Sequence, residues 1–150
     1  MTNLNQVLEV GRTLVGAAGN SKKKSLEFIS EQLQAADPAL SADQVFTSLN
    51  ERERLGSTGF GNGVAIPHCR MPDCTRPMGL LVRLAEPVDF DAMDQKKVDI
   101  LFALVVPQEA NNDHLQLLSQ IAERFSDDHR LSNMRAADTS EALYNAFINE

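Results

Sequence analysis

Val98-Asp99-Ile100-Leu101-Phe102-Ala103-Leu104-Val105-Val106 is apolar at nearly every position and runs into Pro107. An unbroken apolar run of strand length reads as a strand buried on both faces, so it sits centrally in a sheet with a layer on either side. Proline has no N–H to give to a ladder, and the strand should stop there. Downstream, Asn111-Asn112-Asp113 offers N-caps for a helix with Leu115, Leu118, Ala122 and Phe125 at helical spacing. Asp127 to Arg135 reads as a short amphipathic piece, and Thr139-Ser140-Glu141 opens a last helix with Leu143, Ala146 and Phe147 inward. Upstream, Met78 to Leu84 reads as a second strand, and Val88 to Phe90 as a short extension. Ser21 caps one earlier helix, with Leu26, Phe28, Ile29 and Leu33 near one face. Ser41-Ala42-Asp43-Gln44 matches a capping box for the next, which carries Val45, Phe46 and Leu49. Residues 4–15 give a short helical turn and a brief strand. The expected fold class is therefore α/β: a single-domain α/β sandwich over residues 1–150, a mixed β-sheet flanked by helices on both faces. Strand order does not follow from such patterns.

The chain has 150 residues, 43% apolar and 23% charged, with a formal net charge of -7. Such an acidic balance opposes general nucleic-acid binding, which needs a basic field, and anionic lipid surfaces would repel it. No apolar stretch approaches the roughly 20 residues that span a bilayer, and Met1 to Gln6 has no signal-peptide pattern. The two cysteines, Cys69 and Cys74, form neither a zinc pattern nor a disulfide framework. The expectation is a cytoplasmic domain with no direct membrane insertion. Lys22, Lys23 and Lys24 read as a solvated face or as a small basic rim for an acidic partner.

Four of the eight glycines, Gly56, Gly59, Gly61 and Gly63, fall within Gly56-Ser57-Thr58-Gly59-Phe60-Gly61-Asn62-Gly63. Successive N–H groups in such a loop can nest an anion, and glycine lets a ligand approach the backbone. The other reading is a turn with no ligand. A Walker A loop is excluded, because Asn62-Gly63 stands where Lys-Ser/Thr is needed. A dinucleotide fingerprint follows a strand, whereas this loop precedes one, Val64-Ala65-Ile66.

Pro67-His68 comes next, placing an imidazole at the strand's end, where α/β proteins commonly meet ligands. It reads either as a histidine bonded to a carbonyl or as a phosphoryl acceptor beside the loop. A dyad with Cys69 is disfavoured, since neighbours on an extended segment point to opposite faces. His68, His114 and His129 lack metal-ligand spacing, so no metal and no cofactor are expected. Ser57 lacks a nucleophile elbow, and Asp89 and Asp91 are more simply a turn. His114 lies near a helix start, where anions are attracted. Arg52 and Arg54 end the helix before the loop, placed to complement its dipole or to clamp phosphate oxygens.

From Arg52-Glu53-Arg54-Leu55-Gly56 through Ala65-Ile66-Pro67-His68 the sequence closely resembles the enzyme IIA proteins of the bacterial phosphotransferase system, fructose/mannitol class. Within that class it is most similar to the nitrogen-related regulatory members. The likeness continues through Pro87 to Ala92, Val98 to Pro107 and His114-Leu115. The resemblance implies that His68 is the phosphohistidine acceptor and that Arg52 and His114 are its active-site companions. Ser57, Thr58, Gly59, Gly61, Asn62 and Gly63 are then the residues to supply phosphate contacts. The implied activity is that of a phosphotransferase component, an intermediate in protein-histidine phosphoryl transfer that is mainly regulatory. The implied donor is an HPr-like carrier (NPr), and the implied targets are potassium-transport components or sensor kinases. The alternative is a sugar-specific IIA passing phosphate to a IIB component. Cys69 stands where many relatives carry glycine.

Overall fold

Strand β6, Val98–Pro107, is the axis of the molecule. Its side chains alternate between two cores: Ile100, Phe102, Leu104 and Val106 enter one, and Leu101, Ala103 and Val105 the other. Both faces are covered, which is why the run shows no polar alternation. The computed structural model describes residues 3–109 and 112–149, with the backbone alone at 112 and 113.

The other strands are β1 Thr13–Ala17, β2 Gly59–Gly61, β3 Val64–Ala65, β4 His68–Met71 and β5 Met78–Val88. They lie in the order β1-β5-β6-β3-β2, with β4 also beside β6. β5 and β6 are antiparallel, as are β2 and β3, whereas β1 runs parallel to β5, and β3 and β4 run parallel to β6. The sheet is mixed, with helices on both faces. Helices α2 Lys22–Ala36 and α3 Ala42–Arg54 cover one side, where Leu26, Ile29, Leu33, Val45 and Leu49 are buried. The other side receives α1 Leu4–Val7, α4 Asn112–Phe125, α5 Asp128–Ala136 and α6 Ser140–Ile148. There Phe147 packs on Phe102 with ring centroids 5.2 Å apart and on Phe125 at 5.6 Å. Each such buried ring contributes about 1.5–3 kcal/mol through the apolar surface it removes from water.

The helices start where hydroxyl and carboxylate caps stand. Ser21 accepts from the Lys24 N–H at 3.1 Å, Ser41 from Gln44 at 3.4 Å, and Thr139 from Ala142 at 3.0 Å. Asp127 caps α5 through the N–H groups of His129 and Arg130. Asn111 and the side chains of Asn112 and Asp113, where a cap for α4 is expected, lie outside the described residues. The inward face of α4 differs from the expectation in one respect: Leu115 is 54% exposed, while Leu117 and Ile121 are buried with Phe125. One residue of phase separates the two choices, and it is Leu117 and Ile121 that enter the core with Phe102 and Leu104 of β6.

The glycine-rich stretch is a β-hairpin. Gly61 pairs with Val64 across a two-residue turn, with Asn62 at φ 58° and Gly63 at φ 81°. Asn-Gly is the pair that best tolerates positive φ at both positions of a tight hairpin turn. Arg135 fastens the turn from α5: its Nη2 donates to the Asn62 carbonyl at 2.6 Å, while its guanidinium grips Asp99 at 3.0 Å. A Cβ at Gly63 would stand 2.5 Å from that same Nη2. At Gly59 it would meet the Ala92 Cβ at 2.7 Å, so the hairpin lies directly on segment 89–94.

After the hairpin the chain stays beside β6. Val64 pairs with Ile100 and His68 with Leu104, so β3 and β4 keep the same offset of 36 residues. Only Ile66-Pro67 interrupts them, because proline brings no N–H to the ladder. His68 therefore opens a strand, a correction to the expectation that it ends one.

Candidate functional site

His68 leans into a cavity of about 640 Å³ between α3 and α4, beside the second half of β6. Ser48, Glu51, Arg52 and Leu55 line it from α3 and its end, and His68, Cys69 and Arg70 from β4. Leu104, Val106, Gln108, His114 and Leu118 complete the wall. Three residues far apart in sequence, Arg52, His68 and His114, thus meet at one site.

The interruption at Pro67 orients the imidazole. The Ile66 carbonyl lies 2.7 Å from His68 Nδ1. A carbonyl can only accept, so Nδ1 carries the proton and the neutral ring keeps its lone pair on Nε2. Burial pushes the His68 pKa below its ordinary 6.5, against the opposing pull of the Ile66 carbonyl bond, and the Arg52 charge lowers it further. A base whose folded pKa is depressed binds its proton first in the unfolded chain. Its contribution to stability is then whole above pH 6.5 and is lost as pH falls from 6.5 through the folded value. An NMR titration of His68 is expected to place its midpoint below 6.5, leaving more of the ring neutral at pH 7 than in an ordinary imidazole. A midpoint above 6.5 would mean that the carbonyl bond, and not burial, dominates.

Arg52 Nη1 donates to the Gly56 carbonyl at 3.0 Å, closing the end of α3 while the side chain lines the cavity. Arg54 is exposed and is absent from the wall. Among the loop residues expected to contact phosphate, none lines this cavity. Their polar groups are engaged in the fold. Ser57 Oγ donates to the Phe90 carbonyl at 2.6 Å and accepts from the Gly59 N–H at 3.0 Å. The Thr58 N–H and hydroxyl both donate to Glu53. Gly61 lies against Asp94, and Asn62 and Gly63 border a different cavity with Lys96, Lys97 and Arg135.

Three features were not read from the sequence. Glu53 is 7% exposed and accepts from Thr58 while pairing with Lys22 Nζ at 3.0 Å. That contact also resolves the lysine run: Lys22 is an internal ion-pair partner over the Phe90 ring, and Lys23 and Lys24 face solvent. Arg70, two residues after His68 on the same face of β4, donates to His114 Nε2 at 3.0 Å. Period-two spacing from His68 was the signal for it. The Asn62-Gly63 turn was the third, and its dipeptide was the signal. Cys69 points to the α3 side, where burial pushes its thiol up to about 12.

The chain belongs to the family described as the phosphoenolpyruvate-dependent sugar phosphotransferase system, EIIA 2, whose model matches residues 6–150. Within it, the similarity is to nitrogen regulatory proteins. The chain is 46% identical over 148 residues to the nitrogen regulatory protein of Pseudomonas aeruginosa, covering 99% of this chain and 96% of that one. It is also 46% identical over 125 residues to the nitrogen regulatory protein of Escherichia coli, covering 83% and 76%. The crystal structure of nitrogen regulatory protein IIA-Ntr from Neisseria meningitidis superposes with a TM-score of 0.90 at 34% identity, over 96% of this chain and 98% of that one. The protein is accordingly a phosphotransferase-system IIA component by family. No helix among the described residues is long and apolar enough to cross a membrane.

Proposed function

We propose that this chain is a single-domain, cytoplasmic phosphoryl carrier of a nitrogen-type phosphotransferase chain. In this reading it takes phosphate from the phosphohistidine of an HPr-like carrier (NPr) onto His68 and acts on regulatory partners according to its phosphorylation state. The observation that carries this is the bond from His68 Nδ1 to the Ile66 carbonyl, which leaves Nε2 as the bare nitrogen in a cavity shared with Arg52 and His114.

Nε2 attacks the donor's phosphorus in line. The new P–Nε2 bond forms as the P–N bond to the donor breaks, with that electron pair returning to the donor imidazole. The proton stays on His68 Nδ1, donated to the Ile66 carbonyl, whose dipole stabilises the positive charge the ring acquires. Donor and acceptor are both imidazoles, so positioning and charge stabilisation are what the protein must supply. Arg52 and His114 are the residues proposed to meet the phosphoryl oxygens; the loop residues Ser57 to Gly63 support the site through the hairpin. Leu55 at the cavity's edge is 85% exposed and Leu115 beside His114 is 54% exposed, an apolar rim suited to docking a carrier. Phosphorylation adds about 1.5–2 negative charges among Arg52, Arg70 and His114, enough to change which surface complements the site.

Incubation with a phosphorylated HPr-like carrier should yield one acid-labile phosphate by intact mass. Arg52→Ala is expected to slow uptake by roughly 100-fold, the scale for losing one charge-stabilising donor; an unchanged rate removes Arg52 from the mechanism. The family's description as a sugar system favours a second reading, in which phosphate passes on to a IIB component. Rapid discharge on adding a IIB protein would select it, and a phosphate that persists there selects the regulatory reading.

A further inference from the structure

We infer that Arg70 has two roles in the transfer site: it sets the tautomer of His114 before transfer and turns to the phosphoryl group once His68 carries one. The inference rests on the phosphoryl-carrier reading above and assigns a role to a residue beyond it.

The geometry begins with β4. Cys69 and Met71 are buried on the α3 side, so His68 and Arg70 project together towards α4. Side chains two apart on a strand are about 7 Å apart, and both line the same cavity. Arg70 Nη2 lies 3.0 Å from His114 Nε2. A guanidinium is a donor only and is never deprotonated here, so Nε2 of His114 must be the acceptor. The imidazole is thereby held as the tautomer with its proton on Nδ1. The same contact pulls His114 and Arg70 into one unit that reaches from α4 across to β4.

That unit has two states. In the empty site a full positive charge is held by a neutral ring nitrogen, a poor counterpart for it. A phosphoryl group on His68 Nε2 offers anionic oxygens on the same strand face, and N–H···O⁻ bonds are roughly twice as strong as neutral ones. Arg70 then exchanges the imidazole for a phosphoryl oxygen and takes part of the developing charge. His114 Nε2 thereby loses its guanidinium donor. No covalent bond changes in this exchange, only the partners of the Arg70 N–H groups.

The test reads His114 directly. In protein labelled with nitrogen-15 at histidine, the unphosphorylated wild type should show a His114 Nε2 resonance typical of a bare, hydrogen-bonded acceptor. Arg70→Ala should shift it towards a mixture of tautomers, and Arg70→Lys, which keeps a donor, should restore it in part. Phosphorylation of the wild type should move the same resonance in the direction that Arg70→Ala does. Phosphate uptake should slow roughly 10–100-fold in Arg70→Ala, with partial recovery in Arg70→Lys. Arg70 is exposed, so the variants should fold, and matching thermal midpoints would verify this. A His114 signal indifferent to Arg70→Ala, or an uptake rate within twofold of wild type, overturns the inference. If the wild type accepts no phosphate from an active donor, the carrier reading fails instead, and the resonance still reports on the Arg70–His114 contact.

Discussion

A His68→Ala variant is expected to take up no acid-labile phosphate from a phosphorylated HPr-like carrier, under conditions that label the wild type fully. The site has no substitute for the lost nitrogen. Cys69, next in sequence, faces the other core, and its thiol is pushed up to about 12, so no thiolate stands in at neutral pH. His114 shares the cavity, but its Nε2 is occupied by Arg70. The variant should remain folded, because the lost bond to the Ile66 carbonyl is a single hydrogen bond of about 1 kcal/mol. His68→Gln, which retains a donor for that carbonyl, should be equally inert and closer to wild-type stability. Acid-labile phosphate appearing on either variant would falsify the assignment of His68 as acceptor.

Glu53→Ala should lower stability by about 3 kcal/mol, since the charge-assisted bonds of its buried carboxylate are lost and the Thr58 donors are left without their acceptor. For a chain of this size that corresponds to a fall of roughly 6–12 °C in melting temperature. The carboxylate collects three donors: Lys22 Nζ at 3.0 Å, the Thr58 N–H at 3.1 Å and the Thr58 hydroxyl. Without it, Lys22 loses its anchor between α2 and α3, and segment 56–59 comes off the end of α3. Arg52 reaches Gly56 in that segment, so phosphate uptake should fall as well. Glu53→Gln keeps an acceptor and loses the charge, and should land between the two. A melting temperature for Glu53→Ala within 2 °C of wild type, on the order of half a kcal/mol, would show that the network is dispensable.

The apolar stretch at Val98–Val106 made the α/β class legible, because burial on both faces removes the polar alternation that a half-exposed strand must show. The helix starts at Ser21, Ser41 and Thr139 were equally plain, since a cap acts within four residues. His68 was legible through the Pro67 step and the resemblance around it, and Arg52 and His114 through the resemblance. Each of these depends on neighbours in sequence or on a motif of contiguous residues.

What the glycines do was decided elsewhere. The same four glycines suit a phosphate nest and a hairpin; the Asn62-Gly63 dipeptide was a local signal for the hairpin, and the Arg135 bond to the Asn62 carbonyl and the close approach of Gly59 to Ala92 hold it in place. Glu53 passes in sequence for one more surface charge on a helix, and its burial depends on Lys22 and Thr58 arriving from two other segments. Arg70 is 44 residues from His114, and their contact exists because β4 lies beside β6 and α4 brings His114 to the same cavity. By itself, then, the sequence determined the layers and most helix starts, which local burial patterns and short-range capping encode, and it marked His68 as the candidate acceptor. The tertiary structure alone decided strand order, the engagement of the loop and the partners of His68, because those rest on hydrogen bonds and charges between segments that the chain keeps far apart.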